Sequence, residues 1–102
     1  MTFTVIVEAD AERDWHEAVI WYDEREPGVG RRLNAALRDV LNALARQPER
    51  FPRATPRTRK AKVPLPWPYS VYFTINTDHR EVKVLAIWHG ARNPAELRQR
   101  LK

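Results

Sequence analysis

No cysteine occurs anywhere in the 102-residue sequence, so no disulfide framework and no thiolate chemistry are available. That fits a reducing compartment. Glycine is scarce, at three residues, and none lies in a phosphate-cradling loop pattern. The single serine, Ser70, falls within a strand-like run and has no partner motif of a serine nucleophile. No apolar run approaches the length of a membrane span. The first residues, Met1 to Val5, lack the basic-then-apolar pattern of a secretion signal. The expectation is a cytoplasmic domain without membrane contact.

Histidine is also sparse. His16, His79 and His89 are the only three, without an HExxH pattern or clustered acids, so neither a metal site nor a cofactor is expected. Asp23, Glu24 and Glu26 close a helix end with no partner base and read as a solvated face.

Acidic residues are missing from one long stretch, between Arg50 and Thr77. Residues 1–49 carry six basic and ten acidic side chains, net −4, whereas residues 50–102 carry twelve and three, net +9. So uneven a distribution points to an electropositive surface for an anionic partner, either nucleic acid or an acidic protein segment.

What is present organises into one α+β domain over residues 1–102, in the order β-α-α-β-β-β-α. Phe3 to Glu8 reads as a strand, with Phe3, Val5 and Val7 alternating. Asp10 suits an N-cap, with Glu12 and Asp14 in the first turn of a helix that carries Ala11, Trp15, Ala18, Val19 and Tyr22 at helical spacing. Trp15, Trp21 and Tyr22 are expected in core or helix packing. Pro27-Gly28 turns the chain into a second helix near Gly30, where Leu33, Ala36, Leu37, Val40, Leu41 and Leu44 give the strongest period in the sequence. It ends at Gln47, before Pro48. Arg57 to Val63, bracketed by prolines, reads as a short basic edge strand with Lys60 and Lys62 facing outward. Tyr69 to Ile75 alternates cleanly. Val82 to Trp88 is apolar on both faces, as in mid-sheet. The polar turn from Asn76 to Arg80 joins these two strands as an antiparallel hairpin. Asn93 and Pro94 open a last short helix. The result is a helical hairpin packed on a mostly antiparallel sheet of three to four strands.

Basic residues are the remaining candidates for chemistry. Arg57, Arg59, Lys60 and Lys62 lie on or beside the basic strand; His89 and Arg92 follow the last long strand. In an antiparallel sheet these two regions could share one side. Metal-free RNA cleavage would then be conceivable, with the cations stabilising the transition state and His89 moving protons. Basic strands more often only bind phosphate or an acidic partner.

The chain resembles the RelE/ParE superfamily of type II toxin–antitoxin toxins, nearest its ParE-like, plasmid-stabilisation branch. Matching pieces are Ala9-Asp10 through Trp21-Tyr22-Asp23, Pro27-Gly28-Val29-Gly30 with its leucine-rich helix, and Gln47 to Pro52. Pro68 to Phe73 and Ala86-Ile87-Trp88-His89-Gly90-Ala91-Arg92-Asn93-Pro94 complete the set. The resemblance implies a bacterial growth-arresting toxin, neutralised by a cognate antitoxin in a heterotetramer or larger assembly. ParE-like members poison DNA gyrase without a hydrolytic site; RelE-like members cut mRNA on the ribosome. The nuclease branch carries an Arg in the strand matched by Tyr69 to Ile75, where this chain has Ser70. It also carries an Arg after the last strand, which Arg92 fits, and often a C-terminal Tyr, near where Arg98 stands. If the chain were a nuclease, Lys60, Lys62, His89 and Arg92 would carry it. As a binding protein it would present Arg57, Arg59, Lys60, Lys62, Arg92 and Arg98 to antitoxin or target. The departures favour gyrase inhibition over ribosome-dependent cleavage, with an inactive antitoxin-binding homologue as a third reading.

Overall fold

A computed structural model describes residues 2–102. The order is β1 (Thr4–Val7), α1 (Ala9–Arg25), α2 (Val29–Arg46), a single 3-10 turn (Pro48–Arg50), β2 (Arg59–Lys62), β3 (Tyr69–Asn76), β4 (Glu81–His89) and α3 (Pro94–Arg100). The four strands form one sheet in the order β1-β4-β3-β2. β2-β3-β4 is an antiparallel meander, and β1 runs parallel to β4. The sheet is therefore mixed. Alternation in Phe3 to Val7 sets which face those residues bury, but it carries no information about which strand lies beside them.

One face of the sheet takes the helical hairpin. Leu33, Leu37, Val40 and Leu44 of α2, with Ala11 and Ala18 of α1, pack on Val71, Phe73, Val82, Val84 and Ile87. A fully buried leucine contributes about 2 kcal/mol, so the α2 stripe is a main anchor of the fold. The turn between the helices is fixed from within. Gly28 adopts the left-handed region at φ 93°, and the Asp23 carboxylate accepts hydrogen bonds from Gly28 N–H (3.2 Å) and Gly30 N–H (2.8 Å). An acid near the end of α1 thus caps α2. Asp10, expected as the cap of α1, lies inside the first turn; Glu8 is the capping residue and makes no side-chain cap bond.

The opposite, outer face is smaller and is covered by α3. Leu97 of α3 and Leu101 after it pack on Tyr72, Ala86 and Trp88. Asn93 caps this helix as expected, accepting from Ala95 N–H. A bulge in β4 divides the two faces. Tyr72 pairs with Ala86 while Phe73 pairs with Val84, leaving Leu85 without a partner. Val82 and Val84 face the helices before the bulge. After it, Ile87 and His89 do so, and Ala86 and Trp88 turn outward. The unbroken apolar run in the sequence is the trace of this switch.

Candidate functional site

Beyond Val84, β4 outruns β1, whose register ends at Val7. Side chains take over the backbone groups that β1 no longer meets. Ile87 N–H donates to the Asp14 carboxylate (3.0 Å), and Arg100 Nη1 donates to the Leu85 carbonyl (3.3 Å). Arg100 also binds Asp14 through both terminal nitrogens, at 2.8 and 3.3 Å. That hydrogen-bonded partnership is the main cause holding the Arg100 guanidinium above its ordinary basicity. Asp14 is buried, so its charge is compensated by two arginines, Arg92 also approaching at 3.5 Å. Arg92 and Arg100 in turn lie against the Trp88 ring, 3.8 and 5.3 Å from its centroid. The Trp88 indole N–H is buried and meets no acceptor among the described residues.

The expected site residues separate into three places. Lys60 and Lys62 are exposed on the outer face, in cross-strand rows Lys60–Tyr72–Ala86 and Lys62–Ser70–Trp88. His89 lies on the other face. Its ring stands edge-on to Tyr69 at 5.2 Å, and its Nδ1 accepts from Ala91 N–H, which leaves the ring proton on Nε2. Burial, and secondarily Tyr22, push the Tyr69 hydroxyl up to about 12. A groove of about 340 Å³ runs along this side between Trp21, Glu17, Asp14 and His89, with Arg92 at its end. The two basic regions thus do not share one side, because the Leu85 bulge reverses the direction of everything after it. Arg92 sits between, engaged with Asp14, Glu96 and Trp88. Arg98 is exposed on α3.

Arg57, Arg59 and the basic strand belong to a folded-back ribbon. Residues 52–58 return along β2: Arg53 bridges Arg59, and Lys60 N–H donates to the Pro52 carbonyl. Arg59 is half-buried and spends its guanidinium on the carbonyls of Glu49 (3.1 Å) and Phe51 (2.7 Å). Its role is to hold the ribbon. Arg57 is exposed near the tip. Trp67 covers the adjoining connector, edge-on to Tyr22 at 5.3 Å, whereas Trp21 is half exposed beneath the Arg25 guanidinium. Trp21 is therefore not the packing residue its spacing predicts.

A second groove, about 810 Å³, lies along the helical hairpin. Val7, Ala9, Trp15 and Val19 line it together with Glu12, Arg13, His16 and Arg38, and the Trp15 indole is fixed by Asn34 (2.8 Å). Among the described residues no group of three or more His, Cys, Asp or Glu side chains could hold a metal ion, and no helix is long and apolar enough to cross a membrane.

Sequence reasoning missed Asp14, Arg100 and Trp88. One signal was available: Asp14 stands three residues after Ala11 and four before Ala18, on the buried stripe, where a carboxylate needs a partner.

Residues 5–94 match the family model described as ParE toxin of type II toxin-antitoxin system, parDE. The chain is 35% identical over 91 residues to Toxin RelE1 of Caulobacter vibrioides, covering 88% of this chain and 96% of that one. Its fold is similar to a chain of the chromosomal ParDE toxin–antitoxin system of P. aeruginosa (TM-score 0.73, 16% identity, 85% of this chain and 95% of that chain covered). It is also similar to a chain of the RelBE2 toxin–antitoxin complex of Mycobacterium tuberculosis (TM-score 0.63, 25% identity, 87% and 99% covered).

Proposed function

The chain belongs to the ParE toxin family of type II toxin–antitoxin systems, and from that premise we propose that it acts by binding its target, as an inhibitor of DNA gyrase, rather than by cutting RNA. The observation that carries this reading is the division of the basic residues between the two faces of the sheet. A metal-free nuclease needs cations and a proton-transfer group around one phosphate. Here Lys60 and Lys62 face outward, His89 faces the helices, and Arg92 is engaged with Asp14 and Trp88. The outer face next to the lysines is covered by α3.

Neutralisation by a cognate antitoxin follows from the family, and both structural relatives come from toxin–antitoxin systems. The groove along the helical hairpin supports a seat for it. An apolar floor of Val7, Trp15 and Val19, with Arg38 beside it and the Arg13–Asp10 pair and Glu12 at its rim, suits an amphipathic segment that orders on contact.

Induction of the protein alone in a bacterial host tests the reading. The DNA-damage response is expected to rise while amino-acid incorporation is still intact. Incorporation falling first, with cleaved mRNA, would establish the ribosome-dependent nuclease instead. Unimpaired growth would leave an inactive homologue that only binds antitoxin.

A further inference from the structure

We infer that the ribbon formed by residues 50–62 is a seat for the phosphate backbone of duplex DNA. Arg50, Arg53, Arg57, Lys60 and Lys62 are all exposed there, and among the described residues none of them lies within ion-pair distance of a carboxylate. Arg13, Arg32, Arg92 and Arg100, in contrast, each have an acidic partner. The positive charge on this edge is therefore uncompensated within the chain.

The ribbon is also held in shape. Ala54 and Thr55 N–H donate to the Thr58 carbonyl at 2.8 and 3.2 Å, the Thr55 and Thr58 hydroxyls share a 2.7 Å hydrogen bond, and Arg59 ties the strand to Glu49 and Phe51. Thr58 is buried beneath the tip. Fixed cations suit a partner whose charges are themselves regularly spaced. Lys60 and Lys62, alternate residues of one strand, stand about 6.8 Å apart, about the distance between successive phosphates along one strand of DNA once the winding of the backbone is added to its rise. An acidic protein segment would in addition need apolar anchors between the charges. The ribbon tip offers only Ala54 and Pro56, and of the five cations just Arg50 and Lys62 border the apolar groove under Leu65 and Trp67. Such a surface holds phosphate and reads no bases. The choice of DNA over RNA rests on the gyrase reading, since that target works on duplex DNA.

Fluorescence anisotropy of the purified protein with a labelled DNA duplex tests this without gyrase present. Five contacts from Arg50, Arg53, Arg57, Lys60 and Lys62 give a log–log salt slope of about −4.5, so affinity falls about five-hundredfold between 50 and 200 mM salt. Each single change to Gln (R53Q, R57Q, K60Q, K62Q) is expected to flatten the slope by about 0.9, and R31Q, away from the ribbon, to leave it unchanged. Equal slopes in all variants would overturn the proposal. So would tighter binding to an RNA duplex than to DNA. Loss of antitoxin binding with DNA binding intact in the ribbon variants would make the ribbon a protein seat instead. If the induction experiment excludes gyrase while the ribbon still binds DNA, only the target reading fails.

Discussion

Asp14 shows how much one buried carboxylate can organise. It takes the Ile87 N–H that β1 no longer meets, and it gives Arg100 and Arg92 their counter-charge. Replacing it with alanine leaves a backbone donor without its acceptor and a guanidinium without its anion. Removing one partner of a buried pair costs about 3–5 kcal/mol. Arg100 retains some exposure to water, so the expected loss for Asp14→Ala is about 2–3 kcal/mol. Denaturant unfolding, followed by tryptophan fluorescence and by circular dichroism, measures it; a loss below about 0.5 kcal/mol, the surface-substitution level, would deny Asp14 this role.

At the scale of elements, the helical hairpin depends on the close approach of α1 and α2 at Gly30. A Cβ there would stand 2.5 Å from the Val19 carbonyl oxygen and 2.7 Å from Asp23 Cγ. The same Asp23 caps α2, so Gly30→Ala pushes on backbone and cap together. The expected destabilisation is about 1–3 kcal/mol, as for other overpacked sites, read as a fall in the thermal midpoint. Gly28→Ala meets no neighbour and carries only the left-handed backbone penalty of about 1–2 kcal/mol. A larger fall at Gly28 than at Gly30 would contradict the packing argument.

Elements were also what the sequence made most legible. The leucine stripe of α2, the alternation of β3 and the Asn93-Pro94 start of α3 are local patterns, and each element formed where its pattern lies. The basic strand formed too, as Arg59–Lys62 within the expected Arg57 to Val63, with Lys60 and Lys62 outward. Relations between distant residues stayed hidden. Nothing local ties Asp14 to Arg100, 86 positions later. The apolar run from Val84 to Trp88 looks the same with or without a bulge, so the side on which His89 falls could not be read. The candidate site was accordingly legible as a list of cations but not as a geometry.

For the whole molecule, charge and burial set the response to pH. Tyr69 is neutral in the fold up to about 12, above its ordinary value near 10, because ionising it would place a charge among Tyr22, His89 and the core. Between those values the unfolded chain has released the Tyr69 proton and the folded chain still holds it. Unfolding stability therefore falls as pH rises from about 10 to about 12. Tyr69→Phe is expected to remove this part of the alkaline fall and to leave the pH dependence near neutrality as it is in the parent. Melts collected across that range check it, and an undiminished alkaline slope in the variant would exclude Tyr69 as its source.

The unpaired Leu85 has a consequence for how narrowly this surface is set. Side chains on a strand alternate with a period of two, so a one-place slip in pairing exchanges the faces of everything downstream. Were Leu85 drawn into the ladder opposite Tyr72, His89 would fall on the side that carries Lys60 and Lys62, and Trp88 would turn toward the helices. One bulged residue therefore keeps the histidine and the lysines back to back, where a regular ladder through the same sequence would set them over one face.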